Sequence, residues 1–101
     1  MPPAGHLSLG DALDRSEPLT RLLQRLQESR ARFDAITVLL PGGLQHSVRP
    51  GPLDDDGWLL LAAHGAAAAK LRQLLPRLEA ALLAGGWPPT PIKVRVQPPA
   101  P

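Results

Sequence analysis

Residues Gly57 to Gln97, GWLLLAAHGAAAAKLRQLLPRLEAALLAGGWPPTPIKVRVQ, constrain the possible folds most. A short apolar run leads straight into an amphipathic helical pattern. Gly85-Gly86 stops that pattern, and a strand follows that alternates strictly between apolar and polar. Ile92, Val94 and Val96 fall on one face and Lys93, Arg95 and Gln97 on the other. One face of this strand therefore belongs to a core, and the other carries positive charge. A strand, a helix and a second strand in this order form a crossover that can join parallel neighbours in one sheet.

The rest of the chain supplies the remaining elements. SEPLTRLLQRLQ opens a helix, with Ser16 as cap, Glu17 in the first turn and Pro18 where a missing N–H costs nothing. Leu19, Leu22, Leu23 and Leu26 recur at helical spacing, Phe33 continues the stripe, and the periodicity predicts that this stripe is buried. Arg21, Arg25, Glu28 and Arg32 fall opposite it. A second short helical or turn segment is expected over Ala35 to Leu40, ended by Pro41-Gly42-Gly43.

Leu44 to Arg49 reads as a first strand, with Leu44, His46 and Val48 on one face. Pro50-Gly51-Pro52 and Asp54 to Gly57 read as turns. Trp58 to Ala63 reads as a central strand, apolar on both faces. His64-Gly65 opens the long helix, whose core stripe is Leu71, Leu74, Leu75, Leu78 and Leu82. Pro76 inside it is expected to kink or split the helix.

The predicted order is helix, strand, strand, kinked helix, strand. That is a two-layer α+β domain with the helices on one sheet face. Its expected bounds are residues 16–97, preceded by a flexible segment over 1–15 and followed by a Pro-rich tail over 98–101. At 101 residues the chain suits one domain of ordinary size. With no cysteine it offers neither a disulfide framework nor a thiolate metal site, which fits a reducing, cytoplasmic setting. No apolar run approaches the ~20 residues of a membrane span, and the first residues lack a secretory pattern.

The formal net charge is only +2, but most of the cations are arginines, whose forked guanidinium suits phosphate and carboxylate. Candidate phosphate contacts are Lys93 and Arg95 on the last strand, Lys70 and Arg77 on the long helix, and Arg49. The alternative for each is an ordinary solvated face. Arg21 and Arg25, with Arg32, form a second basic group suited to a protein partner. Trp87, in its Pro-rich loop, is a candidate partner anchor, whereas Trp58 is assigned to the core.

No catalyst can be built from these residues. Asp54, Asp55 and Asp56 lack the spacing of a calcium loop and read as a hairpin turn. His6, His46 and His64 are scattered, and no fourth metal ligand sits near them. There is no phosphate-binding Gly loop and no nucleophile elbow. The reading is a non-enzymatic protein without a metal or cofactor.

The first helix (Leu19–Gln27), the strand that follows Gly57 with Trp58, the KLRQLLPRLEAAL segment and IKVRV, taken together, resemble the DciA family of bacterial proteins in its short, single-domain form. The resemblance covers residues 19–97. It implies a fold similar to a type II KH domain. It also implies a monomeric replication adaptor that binds the replicative helicase DnaB and contacts DNA. Family members carry a small polar cap, a Pro and a Trp early in the long helix, and those positions fall here on His64, Gly65 and Ala67. No GxxG loop lies between Ala66 and Leu83, so the chain lacks the clamp that RNA-binding KH domains close on the nucleic-acid backbone. Two alternatives stand beside this reading: a protein-interaction module with no nucleic-acid contact, and a KH-like RNA-binding protein.

Overall fold

The computed structural model describes residues 17–98. The element order is α1 (Glu17–Thr37), a short 3-10 turn (Leu44–Ser47), β1 (Val48–Asp54), β2 (Gly57–Ala62), α2 (Gly65–Ala84) and β3 (Ile92–Val96). The strands form one mixed sheet in the order β1-β2-β3. β1 and β2 pair antiparallel and β2 and β3 pair parallel. This is the α+β, two-layer class expected from the sequence, arranged as a small KH-like domain. The flexible segment expected over 1–15, the Ser16 cap, His6 and the tail beyond Pro98 lie outside the described residues.

The core lies between the helices and one face of the sheet. β2 contributes Trp58, Leu60 and Ala62, all fully buried, and β3 contributes Ile92. α2 covers them with Ala67, Ala68, Leu71, Leu78 and Leu82. The predicted stripe of α2 is thus largely right, with Leu74 and Leu75 half-buried at its margin. Pro76 does not split α2, which is one helix from Gly65 to Ala84. The proline is exposed, so the carbonyl it leaves without a donor can turn to water, while buried residues on both sides hold the helix to the sheet.

Three sequence expectations are corrected. First, the helical or turn segment expected over Ala35 to Leu40 is no second helix: α1 continues to Thr37 and a turn at Val38-Leu39 follows. Second, Leu44 to Ser47 is a 3-10 turn rather than strand, and His46 is exposed there. The strand begins at Val48 and runs through Pro50-Gly51-Pro52, with an irregularity between Pro50 and Leu53. Prolines are tolerated because β1 is an edge strand. The Ala63 N–H bonds to the Ser47 carbonyl at 2.9 Å, and the alternation of the ladder then turns the Pro50 nitrogen outward, where no partner strand exists. The turn between β1 and β2 is Asp55-Asp56, closed by the Asp56 N–H on Asp54 Oδ1 at 2.8 Å.

The third correction concerns the face that α1 buries. Its buried residues are Ser29, Arg32 and Ile36. The leucine stripe predicted as core is open: Leu19 is 47% exposed, Leu22 53%, Leu23 41% and Leu26 54%. Rotation about the helix axis explains this. At about 100° per residue, Leu26, Leu19 and Leu23 lie about 60–120° around from Ser29, while Arg32 and Ile36 lie on its other side, toward the core.

Candidate nucleic-acid and partner interface

The sheet has one covered face and one open face. Register puts Arg49 opposite Leu61, and Leu61 opposite Arg95, in a single row across all three strands. Lys93 pairs with Leu59 one step further along the same face. Adjacent strands are spaced about 4.8 Å apart, so the Arg49 and Arg95 backbones stand about 10 Å apart with Leu61 between them. All three cations are exposed, and none makes an ion pair with another described residue. Leu59 and Leu61, half-buried, form an apolar strip between them. Three of the five proposed phosphate contacts therefore share one surface.

The other two do not join it. Lys70 and Arg77 are exposed on α2, which packs on the opposite side of the sheet. Lys70 instead borders a shallow pocket formed by the loop before β1 and the start of α2. Neighbouring Arg72 also has a different use. Its Nη2 donates to the Val94 carbonyl at 3.3 Å, and the Ile92 N–H donates to Glu79 Oε2 at 3.0 Å. These two side chains cap backbone groups along the β3 edge, which discourages pairing with another strand.

Arg21, Arg25 and Trp87, the candidate partner residues, line one shallow cleft between α1 and the loop after α2. Arg21 is held by Glu17 at 3.0 Å and Arg25 by Asp55 at 2.9 Å. Trp87 is half-buried against the core, and its N–H donates to the Leu82 carbonyl at 3.0 Å as α2 ends. Arg32, grouped with these cations in the sequence, is only 2% exposed. Its guanidinium carbon lies 5.1 Å from the centroid of the Trp87 ring, and its Nη2 stands 3.6 Å from Glu28 Oε1. The Arg32–Trp87 stack fixes the loop to α1, so this arginine acts as packing rather than as surface charge.

The residues at the start of α2 have defined local roles. His64 does the work of a cap, its Nδ1 accepting from the Ala67 N–H at 3.1 Å. Ala67 is 3% exposed, inside the core, so a large side chain would have no room there. Among the described residues no group of three or more His, Asp or Glu is placed to hold a metal ion. No helix among them is long and apolar enough to cross a membrane.

Sequence reasoning missed the apolar strip between the cations. Its signal was present, since a central strand apolar on both faces must expose one of them when helices cover only the other. No protein-family model matches the chain, and no curated protein matches it.

Proposed function

We propose that this chain is a non-enzymatic, cytoplasmic adaptor of the DciA type. In this reading it holds DNA on the open face of its sheet and assists loading of the replicative helicase DnaB. The observation that carries the reading is the row of Arg49, Leu61 and Arg95, with Lys93 beside it. Unpaired cations on a solvent-facing sheet suit a phosphate backbone, and binding of this kind weakens steeply with salt. With no aromatic side chain on that face, the contact is to backbone rather than to stacked bases. The cleft of Arg21, Arg25 and Trp87 is a separate surface suited to the helicase.

The test has two arms. DNA affinity is measured against salt for the wild type and for Lys93→Ala/Arg95→Ala, and purified DnaB is captured with and without DNA. Unchanged DNA affinity in the double variant removes the sheet face from the reading. Failure to capture DnaB under any condition removes the helicase.

A second reading is favoured by the open leucines of α1. It describes a protein-interaction module with no nucleic-acid contact, and it predicts partner binding that survives moderate salt.

A further inference from the structure

We propose that the groove between α1 and the β1 edge is a docking site for an amphipathic helix with acidic flanks, supplied by a protein partner. The inference stands on the leucines of α1 and does not require the DNA reading, with which it shares only Leu61 and Arg49.

The groove encloses ≈520 Å³. Its apolar walls are Leu22 and Leu26 of α1, Pro50 and Pro52 of β1, and Leu61 of β2. Leu22 lies seven residues before Ser29 and so shares the face by which α1 packs on the sheet. It is 53% exposed, at the margin of that face beside the β1 edge. With Leu26 it extends the packing face of α1 toward open solvent along the groove. A continuous apolar surface of this kind on a small domain marks an interaction site.

The chemistry of the walls selects the occupant. An extended strand would need backbone partners along β1. Pro50 and Pro52 have no N–H, and the Gly51 carbonyl already accepts from Ser29 Oγ at 2.7 Å. Strand addition is therefore disfavoured, and side chains from a helix, entering at i, i+3, i+4 and i+7, fit better. Nucleic acid is disfavoured because the walls are mainly apolar and offer a phosphate backbone few donors.

The rim is basic. Arg30 lines the groove, and Arg49 lies at the position next to Pro50. Both are exposed, and neither has an ion pair among the described residues. A second copy of the chain would bring these cations against their own kind, whereas acidic flanks on a partner helix would neutralise them.

The probe is a fluorescent synthetic peptide of about 15 residues, with leucines at helical spacing flanked by glutamates. Binding to the full chain is read by anisotropy and mapped by amide shifts. The expected result is saturable binding that moves the amides of Leu22, Leu26 and Leu61. Leu22→Gln/Leu26→Gln keeps helix propensity and removes only exposed leucines, and it should weaken binding about tenfold or more. Arg30→Glu should weaken it by about fivefold or more, and a lysine-flanked peptide should bind less tightly still.

Four results with the peptide or with the chain alone overturn the proposal: no binding, equal binding by the leucine double variant, a preference for the lysine-flanked peptide, or a dimer of the chain that the leucine substitutions dissolve. An oligonucleotide that shifts the amides of Leu22 and Leu26, and not only that of Leu61 in the sheet row, would assign the groove to nucleic acid instead and would also overturn it.

Discussion

Trp58 Nε1 donates a 2.9 Å hydrogen bond to Ser29 Oγ, which itself donates to the Gly51 carbonyl at 2.7 Å. This relay joins the central strand, α1 and the edge strand through a single hydroxyl. Both side chains are buried, so the indole N–H cannot turn to water instead. Ser29→Ala leaves that donor unpaired and should cost about 1–3 kcal/mol, read from urea unfolding. Trp58→Phe should cost less in the Ser29→Ala background than in the wild type, because the stranded donor is then gone.

Arg32 separates packing from charge. Its long side chain fills the space between α1 and Trp87, while its nearest carboxylate is 3.6 Å away. Arg32→Ala should lower stability by about 3 kcal/mol through the packing lost against Trp87. Arg32→Met keeps the volume without burying a charge, and should stay within about 1 kcal/mol of the wild type. If the two variants are equally unstable in thermal unfolding, the ion pair rather than the packing is what matters.

His64 takes the cap position at α2. His64→Ala should cost about 1 kcal/mol, and His64→Asn should keep most of the stability because its side chain can also accept from the first turn. Faster hydrogen exchange at the Ala67 amide in His64→Ala, and not in His64→Asn, checks this assignment.

Gly57 opens β2 at φ +143°, and a Cβ there would lie 2.6 Å from the Pro91 carbonyl oxygen. The same carbonyl accepts from the Trp58 N–H at 2.8 Å, so it cannot move away without loosening the β2–β3 pairing. Gly57→Ala should cost about 3 kcal/mol, from strain and clash together, and should lower the urea midpoint sharply.

The open sheet face makes a quantitative forecast for DNA. Losing two phosphate contacts in Lys93→Ala/Arg95→Ala should reduce the salt slope of log K by about 1.5. Lys70→Ala/Arg77→Ala removes equal charge from the other side of the sheet, and should change the slope much less. Equal effects would point to diffuse attraction rather than to a defined face.

Much of this was legible in the sequence, for identifiable reasons. The α2 stripe and the alternation of β3 are local periodicities, and each had enough length to be read. Trp58 as core followed from its place in an all-apolar strand. The first strand was misplaced because Pro-Gly-Pro carries the usual signature of a turn. Only a neighbour on one side, with an open edge on the other, lets prolines sit in a ladder. The basic candidates were visible as residues, but their grouping was not. Arg49 joins Lys93 and Arg95 through the pairing of three strands, and Lys70 and Arg77 are separated from them by the sheet itself.

The sequence by itself determined where the long helix and the last strand lie, and which way the last strand's side chains face. These depend on residues only a few positions apart, whose spacing is set by backbone geometry. Only the tertiary structure decided the role of α1. Its leucines have ideal helical spacing, yet the helix turns a neighbouring face to the sheet and packs through Ser29, Arg32 and Ile36. Periodicity shows that a helix has an apolar side. Whether anything reaches that side depends on the length and position of elements distant in the chain, and here part of that side stays open to solvent.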